Sequence, residues 1–73
     1  MKELETVVMT KDVPEYGLKK GDVGTIVMVH AGGIGYEVEF VTLGGDTIAV
    51  LSLNPADVRL AEKREIPHVR AVA

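Results

Sequence analysis

One serine, two histidines and eleven acidic side chains are the groups in this 73-residue sequence that could carry chemistry. Hydroxyl attack on a carbonyl or phosphoryl centre needs a nucleophile held against a base. Ser52 is the sole serine of a chain without cysteine, and His30 and His68 are its only imidazole bases. Ser52 falls inside an apolar run and His30 closes another, and no spacing aims one at the other. His30 therefore reads as a strand-end or hairpin residue, and His68, after Pro67, as part of a tail. Asp12, Glu15 and Asp22 gather in one loop, but without the ligand spacing of a calcium-binding loop they read as solvated charges. Two histidines and no cysteine leave little for a zinc site. The expectation is a chain with no catalytic residues, no metal and no cofactor.

Charge narrows the partners. Eight Lys and Arg stand against eleven Asp and Glu, a net charge of −3 at pH 7. That balance argues against nucleic acid and against an anionic membrane surface. RNA-binding domains add a basic surface and stacking aromatics, whereas this chain offers Lys19 and Lys20 with Tyr16, Tyr36 and Phe40 as its only aromatics. No apolar run approaches the ~18 residues of a membrane span. The opening Met1-Lys2-Glu3-Leu4-Glu5 lacks the basic-then-apolar order of a secretion signal. A cytoplasmic location is the expectation.

The elements that would position these groups are strands. Twelve residues are valine, and β-branched runs alternate with Gly, Pro and Asp, which is strand-and-turn texture. The runs are Thr6 to Thr10, Val23 to His30, Tyr36 to Val41, Thr47 to Leu53 and a short Val58-Arg59-Leu60. Pro14, Gly17 and Gly21 punctuate a long first loop. Glycines at 32, 33 and 35 and the pair Gly44-Gly45 read as hairpin turns. Asn54-Pro55-Ala56-Asp57 predicts a single 3₁₀ turn, with Asn54 as cap, Pro55 at the first position and Asp57 accepting backbone N–H bonds. In the third run Tyr36, Val38 and Phe40 alternate with Glu37 and Glu39, so the former face inward.

Five short strands with a 3₁₀ turn before the last predict an all-β fold, a small five-stranded SH3-like barrel over residues 1–60 with a C-terminal tail over 61–73. Closure would remove the edges of an open sheet, and Gly24 would permit a bend or bulge at the barrel corner. The tail carries Lys63, Arg64 and Arg70 against Glu62 and Glu65, slightly basic on an acidic body. Two strands are apolar on both faces. Ile26 and Met28 are read as one face of the second, leaving Val27 and Val29 on the other. In the fourth, Ile48 and Val50 alternate with Ala49, Leu51 and Leu53. One interior cannot enclose both sets, and apolar exteriors mark protein contacts. The candidate interface is Val27, Val29, Ala49 and Leu51, rimmed by Glu37 and Glu39. The alternative cover is the tail itself, through Ile66, Val69 and Val72.

Leu4 to Val8, Val13 to Val27, Tyr36 to Val41 and Thr47 to Leu53 together resemble an uncharacterised, domain-of-unknown-function family of small single-domain bacterial proteins, over residues 3–60. The resemblance implies a stand-alone SH3-like barrel without known catalytic residues, in some cases beside small toxin-like proteins. Gly17-Leu18-Lys19-Lys20-Gly21-Asp22-Val23-Gly24 also resembles the KOW-type signature of ribosomal and transcription-factor barrels, although turn chemistry alone accounts for each residue: Gly21 for positive φ, Asp22 to bond nearby N–H groups. A more distant similarity is to SH3-like electron-transport accessory barrels, such as the small photosystem subunit and the nitrile hydratase β-subunit domain, which dock onto larger proteins. The leading expectation is a non-catalytic protein-interaction module, antitoxin-like or immunity-like or an accessory subunit, whose acidic face suits a basic partner. The alternatives are a KOW-type RNA- or ribosome-binding module using Lys19, Lys20 and Tyr16, and a homo-oligomeric structural protein.

Overall fold

A computed structural model of the chain describes residues 1–72. Five strands form where the valine-rich runs lie: β1 (Thr6–Met9), β2 (Val23–Val29), β3 (Tyr36–Val41), β4 (Thr47–Leu53) and β5 (Val58–Leu60). Short 3₁₀ turns occupy Pro14–Tyr16, Ala31–Gly33 and Pro55–Asp57. The last follows from local chemistry. Pro55 supplies a pre-set φ, and the Asp57 carboxylate accepts the Asn54 N–H at 3.0 Å. Thr10 then ties the turn to the end of β1, its hydroxyl donating to the Ala56 carbonyl at 2.7 Å and its N–H to that of Asp57 at 2.9 Å.

All neighbouring strands are antiparallel, in the order β4-β3-β2-β1-β5. The expected SH3-like barrel is not formed. A barrel requires its terminal strands to hydrogen-bond to each other, but β4 and β5 stand at opposite edges of one open sheet. The number of strands and the turn before β5 agree with the sequence; closure does not. Among the described residues, no helix is long and apolar enough to cross a membrane.

The inner face of the sheet carries the core: Val7 and Met9 of β1, Ile26 of β2, Tyr36, Val38 and Phe40 of β3, Leu51 and Leu53 of β4 and Val58 of β5, joined by Leu18 from the first loop. Two irregularities decide which residues reach it. In β2, Ile26 pairs with Val38 and Met28 with Glu37, so Val27 is an extra residue. In β4, Ala49 pairs with Phe40 and Thr47 with Val41, so Ile48 is extra. Each bulge sets two residues against one and shifts the inside–outside alternation beyond it.

The expected exterior stripe is rearranged as a result. Leu51 is buried in the core, and Val29 and Ala49 pack against it, leaving Val27 as the one exposed apolar residue of the four. Met28, read as inward, faces solvent instead. The tail does not absorb the apolar surplus either. Among the described residues, fourteen large apolar side chains are exposed against eleven buried, and Ile66 and Val69 are among the exposed.

Gly24 serves a different purpose from the expected bend, since the bulge lies three residues further on. A Cβ at Gly24 would meet Val38 Cγ1 at 2.6 Å, Phe40 Cε1 at 2.8 Å and the Glu39 carbonyl oxygen at 3.0 Å. Its missing side chain lets β3 close tightly on β2. Overfilling a packed core costs ~1–3 kcal/mol and emptying one at a leucine ~2–5 kcal/mol. Gly24→Ala and Leu51→Ala should each lower the urea midpoint accordingly, with an unchanged midpoint for Leu51→Ala contradicting its place in the core.

Candidate functional site

The outward face of β2, β3 and β4 is where chemistry-bearing and exposed apolar side chains come together. Glu37 and Glu39 run down the middle strand. Glu37 lies opposite Met28 on one side and Ser52 on the other; Glu39 lies opposite Thr25 and Val50. Both carboxylates are half-buried among these neighbours. Val27 is 40% exposed, Met28 52% and Val50 50%, so apolar surface flanks the acidic stripe on both sides. Leu4 adds to the β2 side. It is held in the left-handed region (φ 70°) with its N–H donating to the Ile26 carbonyl at 2.6 Å, beside the Val27 bulge, and its side chain is exposed.

Ser52 and His30, which nothing in the spacing connects, meet through Glu37. The Ser52 hydroxyl donates a short hydrogen bond to Glu37 Oε2, and His30 Nε2 lies 2.7 Å from the same oxygen. The order differs from that of a serine–histidine pair: the Glu37 carboxylate, not the imidazole, receives the serine hydroxyl. What the arrangement does is hold a negative charge in place. The Ser52 hydrogen bond, followed by that of His30, keeps the Glu37 carboxyl below its ordinary value of 4.5. Glu39 is oriented more loosely, accepting from the Thr47 hydroxyl at 3.2 Å.

The other singled-out residues are engaged in the first loop. Asp22 accepts the Lys19 N–H at 2.7 Å and Asp12 the Lys20 N–H at 2.8 Å, the turn role expected of Asp22. These carboxylates hold the backbone of the two lysines proposed to meet RNA, while Tyr16 remains half exposed. No group of three or more metal-ligating side chains lies together among the described residues.

The tail folds back, but through Arg70 and not through Ile66 and Val69. It returns to the first loop, where Arg70 Nε donates to Asp22 Oδ1 at 2.8 Å, its Nη2 to Asp22 Oδ2 at still closer range and to the Gly17 carbonyl at 2.8 Å. The guanidinium holds the Asp22 carboxyl below its ordinary 3.8 against the opposing effect of burial. At the base of the tail, Arg59 forks onto Glu65, whose carboxyl falls to about 2. A cleft of about 490 Å³ lies between tail and sheet, lined by Leu18, Phe40, Val41, Leu43 and Ile48 on the sheet side.

Fold and site together define a small all-β domain, an open antiparallel sheet with a fixed acidic stripe on its outer face. The chain belongs to the family described as a domain of unknown function (DUF4926), whose model matches residues 3–60. No curated protein and no solved structure is significantly similar to it. The barrel attached to the sequence resemblance falls with the open sheet, and with it the more distant likeness to KOW-type and electron-transport accessory barrels.

A carboxyl whose folded pKa is depressed contributes stability above its unfolded pKa and loses it as pH falls through the folded value. The Glu37 contribution is thus complete above 4.5 and is lost at more acid pH. Ser52→Ala should move the Glu37 titration, followed by carboxyl NMR shifts, back toward 4.5. An unmoved titration would show that the serine hydrogen bond does not set it.

Proposed function

We propose that this domain works by binding a protein partner through the outer face of β2–β4, and that the partner presents basic and apolar groups together. The observation that carries this reading is the placement of exposed Val27, Met28 and Val50 on both sides of Glu37 and Glu39. Exposed apolar surface bordered by charge is the composition of a recognition patch, the apolar groups supplying burial and the charges selecting the partner. Two copies of this face would set like charges against each other, which costs energy. That favours a different protein over self-association. A basic partner gains in encounter rate from the net charge of −3. Neutralisation of a toxin-like protein and service as an accessory subunit are both compatible with such a surface.

Site-directed photo-crosslinking tests the reading. A photoreactive residue at Val50 should capture a basic protein in the cells that make this chain, and one at Lys63 in the tail should not. Glu39→Lys should suppress the Val50 adduct. With the captured protein in hand, Glu37→Gln and Glu39→Gln together should slow association about tenfold at low salt and little at high salt. Equal labelling at both positions, or labelling of a second copy alone, would remove the proposal.

A further inference from the structure

We infer that the cleft beside Asp22 is a second binding site, specific for an extended peptide segment of a partner protein that carries an arginine, and that the tail occupies it as a built-in competitor. The site is separate from the outer face of the sheet and goes beyond the reading given above.

The polar end of the cleft is a socket shaped for a guanidinium. Asp22 is fixed by its own turn, its carboxylate accepting the Lys19 N–H at 2.7 Å and its N–H donating to the Lys19 carbonyl at 2.9 Å. Gly21, at φ 95°, allows the chain to double back there and donates its N–H to Met9 at 2.9 Å. Gly17 turns its carbonyl toward the same point and receives the Arg70 Nη2 at 2.8 Å. Two carboxylate oxygens and one carbonyl oxygen thus converge in the pattern that a planar, forked donor satisfies and that a lysine, a point charge with no fork, does not.

The apolar end is poorly used by the present occupant. Leu18 and Phe40 form a buried floor, with Ile48 beside them, and Val41 and Leu43 stand exposed at the rim. The tail leaves much of its own apolar surface in solvent: Ile66 is 89% exposed and Val69 74%, while Pro67, Ala71 and Val72 border the cleft. Among the described residues, no backbone hydrogen bond joins residues 66–72 to the sheet, and Arg70 provides every side-chain hydrogen bond between this segment and the rest of the chain. The tail therefore fills the socket and leaves about 490 Å³ of cleft open. A segment with arginine at the same point and larger apolar residues around it would fill both.

The division of the chain points the same way. Socket, floor and rim, from Gly17 to Ile48, all lie within the part matched by the family, and the tail lies outside it. The receiving surface lies within the family domain and the occupant outside the matched residues. An occupant held by one side chain lowers the apparent affinity of a competing ligand by the fraction of time it is in place.

The test uses the 73-residue chain and a fluorescent peptide, PHVRAV, together with versions in which both valines are leucine or the arginine is lysine. Arg70→Gln frees the socket without touching it. Its affinity for PHVRAV should exceed that of the unaltered chain about tenfold, rise further for the leucine version and fall about tenfold or more for the lysine version. Asp22→Asn, made in the Arg70→Gln background, keeps an oxygen for the Lys19 N–H but removes the charge, and should abolish binding while amide NMR spectra show the sheet intact. If the Asp22 change disturbs the sheet, Leu43→Glu at the exposed rim should weaken binding of the leucine version instead. The proposal is overturned by absence of saturable binding to the Arg70→Gln chain, by equal affinity for arginine and lysine peptides, or by binding that responds to Glu37→Gln and Glu39→Gln but not to Asp22→Asn. The last result would place the peptide on the outer face, and the first would leave the outer-face proposal standing by itself.

Discussion

A strand shows successive side chains to opposite faces, so when five strands share one core the fate of every residue is set by parity. Two extra residues, Val27 in β2 and Ile48 in β4, reset that parity. Without the Ile48 bulge, pairing from the β3–β4 turn would place Val50 and Ser52 opposite Val38 and Tyr36, turning a serine inward and Leu51 and Leu53 out. Without the Val27 bulge, Met28 would take the inner place beside Tyr36 that Val29 now holds. The core and the outer face are consequences of the same two insertions. So is the pairing of Glu37 with Ser52, because it exists only in the shifted register.

Around this sheet, polar clasps hold the ends of the chain. Lys11 meets Asp57 at 3.0 Å, Arg59 forks onto Glu65, and Arg70 forks onto Asp22. Exposed ion pairs such as Arg59–Glu65 contribute little to global stability, and of the three only Arg70–Asp22 has both partners part-buried. Their effect is positional: each ties a loop or the tail to the region around β1, β5 and the first loop. Stability must come from the ten-residue core cluster, which is thin for a chain that buries only ~60% of the surface its unfolded form exposes.

The strands and the turn at Asn54–Asp57 were legible because each rests on local chemistry: valine runs for the strands, Asn-Pro and an acceptor carboxylate for the turn. The faces of β3 were legible too, since Glu37 and Glu39 interrupt its apolar residues strictly. In β2 and β4 both parities are apolar, so alternation carries no information and a one-residue insertion passes unseen. Leu51 and Met28 were misplaced for that reason. Openness of the sheet was equally hidden, because local pairing preferences say nothing of whether two distant edges meet. His30, Glu37 and Ser52 could be joined only by knowing the shifted register, and Arg70 with Asp22 only by knowing the path of a tail across 48 residues.

Beyond the Arg59–Glu65 clasp, residues 66–72 are fastened by the Arg70 side chain alone and leave Ile66 and Val69 exposed, and this separates them thermodynamically from the domain they lie on. Denaturant acts on surface newly exposed, so an opening that exposes almost none is nearly indifferent to urea, whereas melting of the sheet is not. The chain then has two stabilities: a cooperative one owned by the strands, and a local one governed by salt and by competing guanidinium groups. Changes that strengthen the core would leave the population of the open tail as it was. Evolution could therefore adjust how often the cleft stands free without altering the fold at all.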